Sequence, residues 1–194
     1  MDLVDQKLVH RAKRGEESAF AELVDKYKDR IFAYLYRMVG NREDALDLAQ
    51  ETFLRVYSNL HNFKLGKPFR PWLYRIASNL AIDHLRKRRQ VLSLDAPVSD
   101  DKLLRFELPD KSLGPAEQHE QAELRAYLAQ AIADLPPNYR SVILLRHGHD
   151  LSYQEISKIL QVPVSTVKTR LFRAREALRL KLNKERDLWG AGGE

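Results

Sequence analysis

Apolar residues recur at helical spacing along most of this chain, and that periodicity limits its fold more than any other feature. Stripes with steps of three or four residues begin near Phe20, Leu46 and Trp72. Such steps place side chains on one face of an α-helix. A break occurs at Gly40, and only 8 Gly and 8 Pro occur in 194 residues. Long helices are therefore favoured over a turn-dense β fold, and residues 1–90 are predicted to form a four-helix domain.

The periodicity stops after the first ninety residues and later resumes. The interval 91–115 contains Pro97, Pro109 and few apolar residues, so we predict that it is a flexible linker. Helical spacing returns from residue 116, and residues 116–184 are predicted to form a second helical domain. The sequence therefore predicts an all-α fold of two small helical domains joined by a flexible linker.

The composition excludes several classes of protein. The chain contains no cysteine, which excludes disulfides, thiolate catalysis and Cys-based zinc sites. Residues 1–14 carry charges and lack the apolar core of a signal peptide, and no stretch approaches the about 18 apolar residues that a membrane span needs. We therefore expect no membrane insertion and a cytoplasmic location. The formal net charge of +6 is modest, so the placement of the charges matters more than their sum.

One segment invites an enzymatic interpretation. His147-Gly148-His149-Asp150 is the only dense His/Asp cluster in the sequence. It falls at a helix end and the following turn, where we expect the His side chains to cap the helix or to lie exposed. The sequence contains no phosphate-binding Gly loop and no nucleophile elbow. We therefore predict no catalytic residue, no metal and no cofactor, and a protein that is not an enzyme.

The strongest local signal lies in the last third of the chain. Ser152 and Glu155 form the S-x-x-E pattern of a capping box ahead of an apolar run. Gln161-Val162 then makes a short turn, and Pro163 suits the start of a second helix, where its missing N–H costs nothing. A short helix, a tight turn and a second helix are the layout of a helix-turn-helix motif.

The outward face of that second helix is polar and basic. Hydroxyl groups, Arg and Lys can contact base edges and phosphates in a major groove, so we predict that this face binds duplex DNA. An ordinary solvated helix surface is the alternative, but the capped helix and the tight turn before it favour DNA binding. The predicted DNA-binding residues are Ser165, Thr166, Lys168, Thr169, Arg170, Phe172 and Arg173.

The first domain carries an acidic and an aromatic feature. Acidic and amide side chains cluster at the start of its third helix, where acids also favour the helix dipole. Further along, Phe69 and Trp72 are interleaved with basic residues. Rings that stack on bases beside cations that hold phosphates suit single-stranded DNA, and the alternative is that these rings fill the core. The basic run 86–89 is either a solvated helix end or, as we expect here, a phosphate contact.

Four segments, in this order, resemble the extracytoplasmic-function (ECF) sigma factors, the smallest members of the sigma-70 family. Residues 44–53, DALDLAQETF, resemble the family's D-A-x-D-L-x-Q-E-x-F segment, and residues 71–79, PWLYRIASN, resemble T-W-L-Y-R-I-A-x-N. Residues 135–140, LPPNYR, resemble L-P-x-x-x-R. The segments 151–156 and 164–175 resemble the family's final helix-turn-helix.

The resemblance implies a role for each segment. Asp47, Gln50 and Glu51 match positions that dock on the clamp helices of the largest subunit of bacterial RNA polymerase. The basic helix face matches the −35 recognition helix, and the loop 62–69 matches the segment that captures a flipped base of the −10 element. Together with Arg75 of the aromatic and basic stretch and Arg86 of the basic run, the predicted −10 DNA contacts are Asn62, Phe63, Lys64, Phe69, Trp72, Arg75, Asn79 and Arg86.

The implied function is promoter recognition and transcription initiation by a stress-responsive sigma factor, with core RNA polymerase, promoter DNA and an anti-sigma factor as partners. The alternative is a polymerase-independent helix-turn-helix regulator. Such a regulator normally needs dimer symmetry to contact two half-sites, and no sustained heptad repeat is present. The sequence departs from the family pattern at Pro71, where Thr is common, at Pro68, which stiffens the loop, and at Ser157, where a small Ala is usual.

Overall fold

The computed structural model of the chain describes residues 3–94 and 115–190, with side chains described for 3–89 and 124–183. These residues form α-helices with a 3-10 turn, a π-helical turn and no β-strand among them, which confirms the predicted all-α fold. None of the described helices is long and apolar enough to cross a membrane. The helices are α1 (Leu3–Lys13), α2 (Glu17–Val39), α3 (Arg42–Asn59), α4 (Phe69–Leu94), α5 (Pro115–Ala133), α6 (Pro137–Ile143), α7 (Tyr153–Leu160) and α8 (Val164–Gly190); the 3-10 turn covers Leu60–Asn62 and the π-helical turn Leu144–Gly148.

The junction between α2 and α3 follows from local chemistry. Gly40 adopts a left-handed conformation with φ 78°, and its N–H donates to the carbonyl of Tyr36. Glycine has no Cβ penalty there, so it commonly terminates a helix in this way. Asn41 then caps α3, because its side chain accepts a hydrogen bond from the backbone N–H of Asp44. The predicted break at Gly40 is confirmed.

Two tyrosines fix α2 against α4 in the core of the first four helices. Tyr34 and Tyr74 are fully buried, and their ring centroids lie 5.6 Å apart. The Tyr34 hydroxyl shares a 2.8 Å hydrogen bond with the hydroxyl of Ser78. Burial raises the pKa of Tyr34 well above its usual value, so the hydroxyl stays neutral and can donate. This contact holds the middle of α4 in place.

Two helices are longer than the sequence pattern indicates. α4 continues to Leu94, four residues into the predicted linker, and α8 continues to Gly190, beyond the predicted end of the second domain. The extensions, VLSL and ERDLWG, contain no proline, so no residue forces either helix to stop at the predicted boundary. The rest of the predicted linker, 95–114, lies outside the described residues.

The predicted helix-turn-helix is confirmed as α7 and α8. Ser152 and Glu155 form a reciprocal capping box at the start of α7. Gln161 ends α7 in the left-handed region with φ 53°. The Ser157 hydroxyl donates to the carbonyl of Val162 at 2.6 Å. The family-atypical serine therefore ties α7 to the turn that follows it.

The two helical units pack against each other around a shared core. α4 contacts α7, and α2 contacts α5, α6 and the π-helical turn. Two arginines also cross this junction. Arg70 donates to the carbonyl of His149, and Arg140 donates to the carbonyl of Met38. The described parts of the two predicted domains are therefore in direct contact.

The structure does not place His149 in the exposed or capping position that the sequence suggests. Its ring packs against Tyr34 and Tyr74, with centroid distances of 5.7 and 5.0 Å, and its Nδ1 lies 2.9 Å from the Tyr74 hydroxyl. The prediction was wrong because the neighbouring unit, more than 70 residues away in sequence, covers this turn.

Candidate nucleic-acid interfaces

The outer face of α8 is open to solvent. Val167, Leu171 and Ala174 are buried against the rest of the helix-turn-helix, so the residues between them point outward. Phe172 is 67% exposed, which leaves its ring free for an external contact rather than for the core. Of the predicted duplex-binding residues, Thr166 and Arg170 are half-buried, and the exposed ones are Ser165, Lys168, Thr169, Phe172 and Arg173.

A groove of about 390 Å³ lies beside this face. The start of α6 contributes Asn138 and Tyr139, which the sequence analysis missed as candidate contacts. They stand directly after Pro136-Pro137, at a helix start where polar groups are available for binding, but only the fold shows that this end adjoins α8. The α8 residues that line the groove are Ser165, Thr166, Thr169, Arg170 and Arg173.

A second cavity, here called the α3–α4 pocket, also has a volume of about 390 Å³. Five of the predicted −10 contacts, spread over eighteen positions of the sequence, meet in it. Its lining contains arginines, amides and apolar groups but no acid. The lining residues are Arg55, Asn59, Asn62, Phe63, Trp72, Arg75, Ile76 and Asn79.

The aromatic wall of the pocket is a packed cluster. The rings of Phe63 and Trp72 lie 4.8 Å apart, and Phe69 packs behind them at 6.0 and 5.8 Å. Phe69 is only 3% exposed and also contacts Tyr27. The predicted direct contact of Phe69 with DNA is therefore not available in this structure, because the ring fills the core and supports the other two.

Two other predicted contacts also lie outside the pocket. Lys64 is exposed on the loop that follows the 3-10 turn. Arg86 is exposed farther along α4, where it forms a 3.0 Å ion pair with Asp83. Both side chains are accessible to a nucleic-acid backbone, but neither lines the pocket.

The α3 wall of the pocket was not predicted from the sequence. The Asn59 amide donates to the carbonyl of Arg55 at 2.8 Å, and Arg55 donates to the carboxylate of Glu51 at 2.6 Å. Residues 51, 55 and 59 are four apart and so share one helix face. That spacing could have identified Arg55 and Asn59 as neighbours of the acidic cluster.

The acidic part of α3 presents a mixed surface, here called the α3 patch. Asp47 and Gln50 are exposed, and Glu51 is half-buried. Leu46, predicted to lie in the inward stripe, is 42% exposed and Leu54 is 61% exposed. Ala45 is buried where Leu46 was expected, whereas Ala49, Val56 and Leu60 of the same stripe are buried as predicted. Exposed leucines beside polar groups are typical of a protein-binding surface.

No group of three or more His, Asp or Glu residues within the described ranges could hold a metal ion. Burial and the neighbouring Arg175 lower the pKa of His147. The side chain of Arg175 lies 3.2 Å from His147 Nε2. The His147–Asp150 cluster is therefore arranged around arginines and aromatic rings.

Comparison with known families covers both helical units. Residues 23–91 match the model for sigma-70 region 2, and residues 125–178 match the model for sigma-70 region 4. The chain belongs to the sigma-70 family. It is 43% identical over 184 residues to the ECF RNA polymerase sigma factor SigW of Bacillus subtilis, an alignment that covers 94% of this chain and 98% of the relative.

Other relatives are consistent with the ECF group. The chain is 42% identical over 179 residues to the RNA polymerase sigma-H factor of Pseudomonas aeruginosa, covering 90% of this chain and 91% of that one. The structure of CnrH in complex with the cytosolic domain of CnrY is similar with a TM-score of 0.66 and 28% identity, covering 93% of this chain and 98% of CnrH. The sigma factor is therefore an RNA polymerase specificity subunit, and the polymerase-independent regulator is not favoured.

The same fold occurs in a more distant protein. The sigma factor RpoE of Bartonella quintana, in complex with the anti-sigma factor NepR, has a TM-score of 0.69 and 21% identity, covering 84% of this chain and 96% of RpoE. At this identity the likeness concerns the fold alone.

Proposed function

We propose that this sigma factor uses three separate surfaces to start transcription. The α8 face binds the −35 element as duplex DNA, the α3–α4 pocket holds the unpaired −10 strand, and the α3 patch docks on the clamp helices of RNA polymerase. The observation that carries this proposal is the acid-free α3–α4 pocket, in which aromatic, amide and cationic groups converge. This is the combination that single-stranded nucleic acid requires.

The pocket offers a partner for each part of a nucleotide. Trp72 and Phe63 provide the edge of an apolar wall for a base, Asn62 and Asn79 provide amide donors and acceptors, and Arg75 provides a cation for phosphate. Extruding a base from a duplex costs on the order of a few kcal/mol, and stacking on an aromatic side chain returns about 1–3 kcal/mol. Stacking in the pocket can therefore offset a large part of the cost of holding a base open.

The α8 face suits recognition of duplex DNA. Arg173 and Lys168 are exposed cations that can contact guanine edges or phosphates. The exposed ring of Phe172 can contact a thymine methyl group. Thr169 donates its hydroxyl hydrogen to the carbonyl of Ser165 at 3.0 Å, so toward DNA the hydroxyl oxygen can act as an acceptor.

Partners and location follow from this proposal. The chain acts in the cytoplasm, where the polymerase is, as a DNA-binding regulator without a catalytic site of its own. An anti-sigma factor is a further proposed partner: the family resemblance implies one, and CnrH was solved in a complex with the cytosolic domain of CnrY. Release from such a factor would make the protein responsive to stress.

The division of roles predicts opposite defects in two sets of variants. Arg173→Ala weakens use of the −35 element by about 1–3 kcal/mol and leaves core binding intact. Replacing Gln50 and Glu51 with Ala weakens core binding about tenfold, as loss of a modest interface contact does, and leaves recognition of the −35 element intact. In vitro transcription on genomic fragments, with core affinity measured separately, distinguishes the two defects.

Each variant has a control that removes the same kind of charge elsewhere on the surface. Arg179→Ala removes an exposed cation of α8 that pairs with Glu176, and Asp29→Asn removes an exposed acid of α2. Both should behave like the unaltered protein. If Arg173→Ala and the α3 patch variant lose the same activity, the proposed division of roles is wrong.

The α3–α4 pocket predicts a defect confined to the unpaired strand. Trp72→Ala lowers the affinity of the holoenzyme for a fork-junction DNA with a single-stranded −10 segment by about 1–3 kcal/mol, the worth of one stacking contact. Phe172→Ala removes an aromatic ring from α8 instead, so it should weaken binding through the duplex −35 element only. If Trp72→Ala lowered the affinity for a fully duplex DNA with the −35 element as much as for the fork-junction DNA, the pocket would not bind the open strand.

A further inference from the structure

Lys13 connects α1 to the loop that forms one side of the α3–α4 pocket. It is the last residue of α1, and its ammonium group donates to the backbone carbonyl of Phe63 at 2.6 Å. The bond is partly buried and joins residues 50 positions apart. A charged donor makes a stronger hydrogen bond than a neutral one.

The loop that receives this bond carries pocket residues but little regular structure. The Phe63 N–H donates to the Leu60 carbonyl at 3.0 Å, and the Lys67 N–H donates to the Lys64 carbonyl at 3.2 Å. These bonds lie within the loop and its 3-10 turn, and the buried side chains of Leu60 and Phe63 hold the loop on the protein by apolar packing only. Lys13 supplies an anchor from outside.

The anchored carbonyl belongs to a residue that shapes the pocket. The Phe63 backbone is extended, with φ −66° and ψ 126°, and its ring packs 4.8 Å from the ring of Trp72. Asn62, the preceding residue, lines the same pocket. A shift of the Phe63 carbonyl therefore moves both a ring and an amide that are placed to contact a base.

We propose that Lys13 is a positioning residue for recognition of the unpaired −10 strand. This inference rests on the proposed function of the α3–α4 pocket. Lys13 does not line the pocket itself and acts through the position of the 62–63 loop. Without the bond, the loop samples more conformations. The pocket then binds a base less tightly and distinguishes the four bases less well, because the loop must first be ordered on binding.

The test compares Lys13→Met and Lys13→Arg in the holoenzyme. The Met variant keeps an apolar stem and removes the donor, whereas Arg keeps a charged donor. Binding is measured to fork-junction DNAs that carry each of the four bases at the captured −10 position. We expect Lys13→Met to lower affinity for the preferred base about tenfold, the equivalent of one charge-assisted hydrogen bond, and to reduce the differences among the four bases. Lys13→Arg should retain most of the affinity for the preferred base and most of the discrimination among the four bases.

Controls separate positioning from stability and from direct DNA contact. Lys7→Met removes an exposed lysine of the same helix and should change neither quantity, and thermal melting compares the folded state of every variant. A Lys13→Met defect that is equal for all four bases and lowers the salt dependence of binding would indicate a phosphate contact and overturn the proposal. Failure of Lys13→Arg to rescue would overturn it as well.

Trp72→Ala, measured alongside, tests the pocket independently. If Trp72→Ala weakens binding but Lys13→Met does not, the positioning role is wrong and the pocket stands. If neither variant has an effect, the proposed function of the pocket is wrong.

Discussion

Replacing Arg140 with Ala should lower the free energy of unfolding by about 3 kcal/mol, because hydrogen bonds to a charged group contribute about 1.5–3 kcal/mol each and are not additive. The guanidinium group donates to three backbone carbonyls, those of Met38, Ala133 and Leu135. Burial lowers the pKa of Arg140, although the nearby Asp134 opposes that shift. The carbonyls lose a charged donor, and the cavity left by the side chain adds to the cost.

Urea denaturation at neutral pH measures this effect. Arg179→Ala is the control, because Arg179 is exposed and its ion pair with Glu176 at 3.1 Å should contribute less than about 1 kcal/mol. Lysine keeps the charge but cannot reach three acceptors. The free energy of unfolding of Arg140→Lys should therefore lie between those of Arg140→Ala and the unaltered protein. A loss below about 1 kcal/mol for Arg140→Ala, the worth of a single neutral hydrogen bond, would show that water replaces the guanidinium group without penalty.

The bonds of Arg140 also show where sequence reasoning ends. The resemblance of residues 135–140 to a family segment includes Arg140, and its contacts with the carbonyls of Ala133 and Leu135 are local. Its contact with Met38 spans 102 positions. Such a contact depends on how two helical units dock, and helical periodicity carries no information about docking.

Local chemistry, by contrast, was predictable. The break at Gly40 and the capping box at Ser152 depend on groups within four residues of each other, and both are present in the structure. The outward face of α8 followed from the spacing of its apolar residues. In each case the physical cause lies within one or two helical turns.

Burial of individual rings and leucines was harder to predict. Phe69 was assigned to DNA but is buried, whereas Leu46 was assigned to the inward stripe but is 42% exposed. A rotation of about 100° per residue separates inside from outside on a helix, so an error of one position exchanges the two. Tyr27 of α2 packs against Phe69 from 42 positions away in sequence, so the burial of this ring depends on tertiary packing.

The junction between the two helical units combines apolar packing with polar bonds. Arg70 and Arg140 each donate to a carbonyl of the other unit, and Tyr74 shares a hydrogen bond with His149. Interfaces between domains are generally more polar than cores and permit relative motion. The α8 face and the α3–α4 pocket both remain open to solvent in this arrangement, so the contact does not itself cover either surface.

His149 should make the stability of the protein sensitive to mild acid. Burial is the main cause that lowers the pKa of His149 to about 4, and Arg37, Arg70 and Arg30 lower it further, while Asp150 opposes them weakly. In the unfolded chain the His149 side chain has the ordinary histidine pKa of about 6.5 and is protonated below that pH. Between pH 6.5 and pH 4 the unfolded state therefore binds more protons than the folded state, and stability falls as the pH falls. The contribution is fully present above pH 6.5.

The expected loss at pH 5.5, relative to pH 7.5, is about 1 kcal/mol in the free energy of unfolding, after a discount for the solvent that still reaches the ring. His149→Gln keeps an acceptor for the Tyr74 hydroxyl but does not titrate, so its stability should change less over this interval. The pKa of His147 is also lowered, and the difference between the two proteins isolates His149 from it. The hydrogen bond from Arg11 lowers the pKa of Glu16, and for Glu155 burial is outweighed by hydrogen bonds from Ser152, which lower the pKa, so neither carboxyl explains a change in this interval. Parallel stability curves for the two proteins between pH 7.5 and 5.5 would mean that the ring accepts its proton without disturbing the junction.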